Sequence, residues 1–117
     1  MSKSSPAQRS LKYLRNAGYS CAITEHFNSF VKIRQDLFGF LDIICIKNGV
    51  TGVLGVQTTS TQNLSARVKK VLSIPEAHIW LSCGGSIFVH GWSKKGKAGK
   101  RKLWTLTQRE ITLKDFS

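Results

Sequence analysis

Six acidic side chains stand in this chain of 117 residues: Glu25, Asp36, Asp42, Glu76, Glu110 and Asp115. Asp42 has the neighbours that demand an explanation. It lies in Phe40-Leu41-Asp42-Ile43-Ile44-Cys45-Ile46, the most apolar stretch of the sequence. An uncompensated carboxylate buried there costs several kcal/mol. Backbone N–H groups at the end of a strand can offset that cost, and so can a divalent cation. Further along stands Val56-Gln57-Thr58-Thr59-Ser60. Gln57 and Thr59 are two apart and share one face of a strand. A hairpin loop running from Asn48 to Thr51 sets Asp42 directly opposite Gln57. Polar oxygens then converge on one spot of an apolar hairpin, a donor set suited to Mg²⁺ or Mn²⁺.

The elements that must position these residues follow from patterning. Ser5-Pro6 reads as an N-cap followed by proline at the first helical position. Ala7, Leu11, Leu14 and Ala17 form one helical stripe, and Gly18 is its stop. Tyr19 to Phe27 has strand composition, and Asn28 to Leu37 is polar and irregular. Phe40 to Lys47 is apolar almost throughout and predicts a central strand buried on both faces. Asn48-Gly49 signals a turn, and Val53 to Thr59 is the return strand. Ser60 to Asn63 caps a helix reaching about Leu72, which Pro75 ends. Ile79 to Cys83, with Trp80, reads as another strand. Gly84-Gly85 is a turn, and Ser86–Trp92 pairs with Leu103–Leu106 around a basic loop. Gln108 to Ser117 is a final strand or a loose turn. The expectation is one α/β domain over 1–117 with a mixed central sheet, a flexible tail at 1–5 and a basic loop at 93–102.

Charge indicates the partner. Lys and Arg number 18 against 6 acids, a formal +12. Such chains meet polyanions, and DNA is the leading one because each phosphate contact releases a counterion. The candidate contacts are Arg9, Lys12 and Arg15 on the first helix, Arg34, Arg67, and the run Lys94, Lys95, Lys97, Lys100, Arg101 and Lys102. Phosphate contacts position a protein without reading sequence, so recognition of DNA shape is expected. Trp92 and Trp104 flank the basic loop and either pair across the hairpin or stack on a base. Lys97-Ala98-Gly99-Lys100 lacks the spacing of a phosphate loop, and no small-molecule cofactor is implied. His26, His78 and His90 are scattered and read as structural or surface residues. Cys21, Cys45 and Cys83 are odd in number and lack a Cys-x-x-Cys, against a disulfide framework or structural zinc site. No apolar run reaches membrane-spanning length, so no membrane partner is expected. A reducing cytoplasm is the simplest compartment.

An apolar strand with one Asp, a turn, and a second strand with a polar-x-polar pair resembles the PD-(D/E)XK nuclease superfamily. The segment Arg34-Gln35-Asp36-Leu37-Phe38-Gly39-Phe40-Leu41-Asp42-Ile43, with Gly55-Val56-Gln57-Thr58-Thr59 after it, resembles small phage-type nucleases of that superfamily. Archaeal-type Holliday junction resolvases share the core. The resemblance covers about residues 5–83. It implies an α-β-β-β-α-β core with an extra C-terminal hairpin, and a Mg²⁺- or Mn²⁺-dependent DNA endonuclease selective for structure. Asp42, Gln57, the Val56 carbonyl and Asp36 would hold the cation. Gln57 stands where the family has a second acid, and Thr59 where it has a lysine. Glu25 and Asp36 could supply the missing negative charge, and Lys69 or Lys70 the missing amine. Symmetric cleavage implies a homodimer, and a phage origin implies the host cytoplasm. The alternatives are a nuclease-fold DNA-binding module that has lost catalysis, or a phage accessory protein.

Overall fold

The fold is described from a computed structural model. It describes residues 5–96 and 102–116, with the backbone alone at 27, 28 and 34. Helix α1 spans Pro6–Asn16. The Ser5 hydroxyl accepts from the Gln8 N–H at 3.2 Å, the N-cap its sequence predicts. Strands β1 (Ser20–Ile23), β2 (His26–Asn28), β3 (Ile33–Gln35), β4 (Ile43–Ile46) and β5 (Leu54–Ser60) follow. A 3₁₀ turn (Thr61–Asn63) leads into α2 (Leu64–Leu72) and then α3 (Pro75–Ser82). The chain closes with β6 (Ser86–Lys95), β7 (Leu103–Ile111) and a 3₁₀ turn at Leu113–Phe116.

The main sheet has the order β1-β4-β5-β6-β7. Its pairs are antiparallel except β5 with β6, so it is mixed, as expected. The parallel step needs a crossover, which α2 and α3 supply. On one face α1 sets Leu11 and Leu14 against Ile43, Cys45, Leu54 and Val56. On the other, α2 and α3 set Val71 and Ala77 against Ile87, Val89 and Ile111. Alternation on each strand assigns its residues to the two layers. Gly91 lets the second layer close: a Cβ there would stand 2.9 Å from the Thr61 Cα, where the crossover leaves the sheet.

Five sequence expectations change. Ile79–Cys83 is helical through Ser82 with Cys83 as its C-cap, because Pro75 begins α3 at its first position after Ile74 breaks the path from α2. A short apolar run fits a helix or a strand equally well until its packing partner is known. Tyr19–Phe27 is interrupted at Thr24, whose hydroxyl donates to the Leu41 carbonyl at 2.7 Å and turns the chain out of the sheet. Asn28–Leu37 is not irregular throughout: β3 pairs with β2 in a separate hairpin. The central strand is only Ile43–Ile46, because residues 36–41 form a tight loop with Phe38 and Gly39 at φ 55° and 82°. Lys94 and Lys95 extend β6 instead of lying in a loop, since β7 pairs with them through Trp104 and Leu103. Of the expected tail at 1–5, Ser5 is instead the N-cap of α1, held by its bond from Gln8, and residues 1–4 lie outside the described residues, as do the loop positions Lys97, Lys100 and Arg101.

The C-terminal end is tied down by charge. The Arg109 guanidinium meets the Asp115 carboxylate at 3.1 and 2.8 Å, and the Thr112 N–H donates to it at 2.8 Å. These contacts pull the Asp115 carboxyl down to about 2. Cys21 lies opposite Cys45, and the three cysteines are free. Beneath α1 a polar cluster is fully internal. The Trp92 Nε1–H donates to Ser10 Oγ at 2.9 Å, and Ser10 Oγ lies 2.8 Å from His90 Nδ1. Tyr13 sits edge-on to the His90 ring. His90 is therefore a structural histidine, as expected, and burial pushes it down to about 4.

Two outcomes follow for stability. An unfolded histidine titrates near 6.5, so His90 contributes fully above that pH and loses its contribution as pH falls towards 4. Urea unfolding should show a loss approaching ~3 kcal/mol across that window, flattened in His90→Asn; equal slopes in both would contradict the assignment. Gly91→Ala should cost about 2 kcal/mol by denaturant midpoint, because the two nearest atoms it meets are backbone.

Candidate metal centre and its cleft

The site begins where β4 leaves its ladder. Regular pairing with β5 ends at Ile43↔Val56, in the register that extrapolates Asp42 onto Gln57. The Asp42 N–H still donates to the Val56 carbonyl at 2.9 Å. Its carboxylate, instead of a backbone carbonyl, accepts the Thr58 N–H at 2.7 Å. The Thr58 hydroxyl and the Gln57 Nε2 donate to the same Oδ2 at 2.9 and 2.8 Å. Three donors therefore converge on one oxygen of a side chain only 4% exposed.

Two departures from the main sheet deliver the other acids. The bend after Thr24 brings in Glu25. The tight loop after β3 folds Asp36 back onto Asp42, with the Leu37 N–H on the Leu41 carbonyl and the Gly39 N–H on the Asp36 carbonyl. Ligand atoms of Glu25, Asp36 and Asp42 all lie within 4.8 Å of one another. The Gln57 amide bridges two of them, with Nε2 3.4 Å from Asp36 Oδ2. Burial first, then the Asp36 carboxyl beside it, pushes Asp42 up to about 7, against the lowering effect of Thr58. Crowded carboxylates in a dry site share a proton or a cation.

Gln57 suits the cation. It is fully buried, and its Oε1 has no hydrogen-bond partner among the described residues. A buried acceptor left so costs about 1–3 kcal/mol. The amide turns its NH₂ to the carboxylates, whose oxygens accept from it. A half turn would present Oε1 instead, to a shared carboxyl proton or to a positive ion between these groups. The donor set, carboxylates plus one amide oxygen, is the hard-oxygen kind that Mg²⁺ and Mn²⁺ take.

The acids open on a cleft of about 590 Å³ lined by Ser5, Pro6, Ala7, Thr58, Thr59, Ser60, Asn63, Arg67 and Lys70 as well as the acids themselves. A second cleft joins Asp36 and Lys70 to His26, Gln35 and Gly39. Of the two candidate lysines on α2, Lys70 lines both clefts and Lys69 lines neither. Thr59 lines the first cleft, on the Gln57 face of β5. The Val56 carbonyl serves to hold the Asp42 backbone. Thr58 is the residue sequence reasoning missed as a site residue: alternation points its side chain away from Gln57, and only the broken ladder brings Asp42 to it.

The expected DNA contacts divide. Arg67 borders the acids. Lys12 and Arg15 are exposed on α1. The Arg9 guanidinium lies 3.3 Å over the Trp104 ring, with the Lys94 Nζ at 5.2 Å. Lys95 and Lys102 are exposed at the β6–β7 end. Trp92 faces Leu106 and Trp104 faces Lys94, so the two tryptophans are not directly opposed. Trp92 is interior, and Trp104 is 45% exposed. The Arg34 side chain lies outside what is described. Comparison with known proteins finds no family model, no curated protein and no solved structure that matches the chain.

The cluster makes a prediction that does not depend on activity. Mg²⁺ or Mn²⁺ should raise the melting temperature of the wild type and leave Asp42→Asn unmoved. Without metal, Asp42→Asn should melt roughly 5 °C higher than wild type at pH 8, because it removes a buried charge and keeps an acceptor. Gln57→Glu should bind Mn²⁺ about tenfold more tightly by calorimetry and melt lower without it. A wild type indifferent to both metals would rule the centre out.

Proposed function

We propose that this protein is a metal-dependent DNA endonuclease of the PD-(D/E)XK type, selective for DNA structure and resembling junction resolvases. The observation that carries the reading is the convergence of Glu25, Asp36 and Asp42 on an open cleft edged by Arg67 and Lys70, with the buried Gln57 amide hydrogen-bonded to Asp36 and Asp42. The order α1–β1–β4–β5–α2–β6, with one parallel step between β5 and β6, supports it. So does the net charge of +12. No helix among the described residues is long and apolar enough to cross a membrane.

Asp42, Asp36, Glu25 and Gln57 would hold Mg²⁺ or Mn²⁺. A cation bound there polarises a phosphate and lowers the pKa of a coordinated water. The chain's own groups do the rest. Arg67 and the α1 N-terminal end receive the DNA backbone. Asp36 or Glu25 orients the attacking water and takes its proton. The water oxygen bonds to phosphorus as the bond to a deoxyribose oxygen breaks, and that oxygen takes a proton from solvent. Lys70 faces the negative charge that develops on the phosphoryl oxygens, the task of the lysine that Thr59 replaces. Paired cuts in branched DNA require two such sites and thus a homodimer.

One observation favours a second reading, a binding module that has lost catalysis: Asp42 already accepts three hydrogen bonds from its own fold. Labelled four-way junction, duplex, flap and single-stranded DNA separate the two. With Mg²⁺ or Mn²⁺ the enzyme cuts, EDTA and Asp42→Ala abolish cutting, Lys70→Met slows it roughly 100-fold and Lys69→Met changes it little. The binding module instead holds DNA in a salt-sensitive way without cutting, and the pair Gln57→Glu with Thr59→Lys would confer cleavage on it.

A further inference from the structure

The β2–β3 hairpin is a two-stranded unit outside the main sheet. Its base rung is His26↔Gln35, and the last rung is Asn28↔Ile33. Glu25 immediately precedes the hairpin and Asp36 immediately follows it, so it grows directly out of the acid cluster. His26 and Gln35 share a cleft with Asp36 and Lys70. The far end is a loop, Ser29 to Lys32, turned by Lys32 at φ 55°. That end is apolar. Phe30 is 95% exposed, Val31 56% and Ile33 53%. Scattered exposed apolar side chains need no explanation, but three of four consecutive positions at a projecting tip do.

We infer that Phe30 is a wedge that enters the DNA base stack beside the cut site. The inference rests on the nuclease reading and specifies what that site selects. Charge chooses the occupant: the tip carries Lys32 and belongs to a chain of +12, which suits a polyanion with an apolar interior better than an apolar protein surface. Proteins that unstack DNA use this pairing, an apolar side chain between bases and cations on the flanking phosphates. The cost of unstacking is lowest at mismatches and branch points, so the wedge makes the cleft selective for distorted DNA. Phe30 lies four residues beyond the base rung and five beyond Glu25. At about 3.3 Å per strand residue, it reaches roughly 13–17 Å from the acids. That is about four or five nucleotides at ~3.4 Å each.

The test uses the full chain as Asp42→Ala, which keeps the DNA intact. Junctions and mismatched duplexes carry one 2-aminopurine at successive positions, numbered from the cut mapped with wild type. Fluorescence should rise at a nucleotide about four or five from the cut. Adding Phe30→Ala should abolish the rise with affinity by anisotropy changed less than about threefold, and Phe30→Leu should retain it. DNA binding with no responding position, or a rise that survives Phe30→Ala, overturns the wedge and leaves the nuclease reading standing. No binding to any DNA overturns both.

Discussion

A buried carboxylate at the end of a strand organises this molecule. Asp42 stands where the sheet stops, with apolar neighbours on both sides, and cannot remain charged there without compensation. Its Oδ2 takes the place of a ladder carbonyl for Thr58 and also binds the Thr58 hydroxyl and the Gln57 amide. That substitution ends β4 early and frees the preceding chain to turn. The interior of the sheet and the geometry of the site thus share one cause.

The turn then gathers the remaining charge. The bend at Thr24 and the left-handed pair Phe38-Gly39 both lie against Leu41 and Asp42, held by backbone and hydroxyl hydrogen bonds to their carbonyls. They bring Glu25 and Asp36 to one point and leave the β2–β3 hairpin standing between them. Apolar packing beneath, with Phe40 and Leu41 fully buried, keeps the loop from relaxing. Three carboxylates in so small a space repel one another, and the fold spends stability to hold them together. A divalent cation would reverse the sign of that interaction.

The surroundings separate support from chemistry. The Ser10–His90–Trp92 cluster fixes α1 on the sheet and with it the Ser5–Ala7 wall of the cleft. Gly91 allows the crossover to approach the sheet and so places α2, whose Arg67 and Lys70 face the acids. Neither His90 nor Gly91 borders the cleft, yet both set its width.

Much was legible in the residues themselves. Ser5-Pro6 and Gly18 bound α1 because capping is local. The register of β4 on β5, and with it the meeting of Asp42 and Gln57, follows from a turn signal and a period of two. The oddity of one acid in an apolar run pointed to Asp42, which the fold sets beside Glu25 and Asp36. What the sequence could not decide depends on distant partners. Pro75 ends one helix and begins another, and only the sheet beneath shows which face Ala77 must bury. Thr58 joins Asp42 only because the ladder breaks, and Lys70 is separated from Lys69 only by the direction in which α2 lies. The hairpin of residues 26–35 looked irregular because each strand is only three residues long and pairs only with the other, outside the main sheet. Local pattern determines elements and registers, since it acts over a few residues. The tertiary structure decides which polar groups share a cleft, because that depends on where the backbone leaves its ladders.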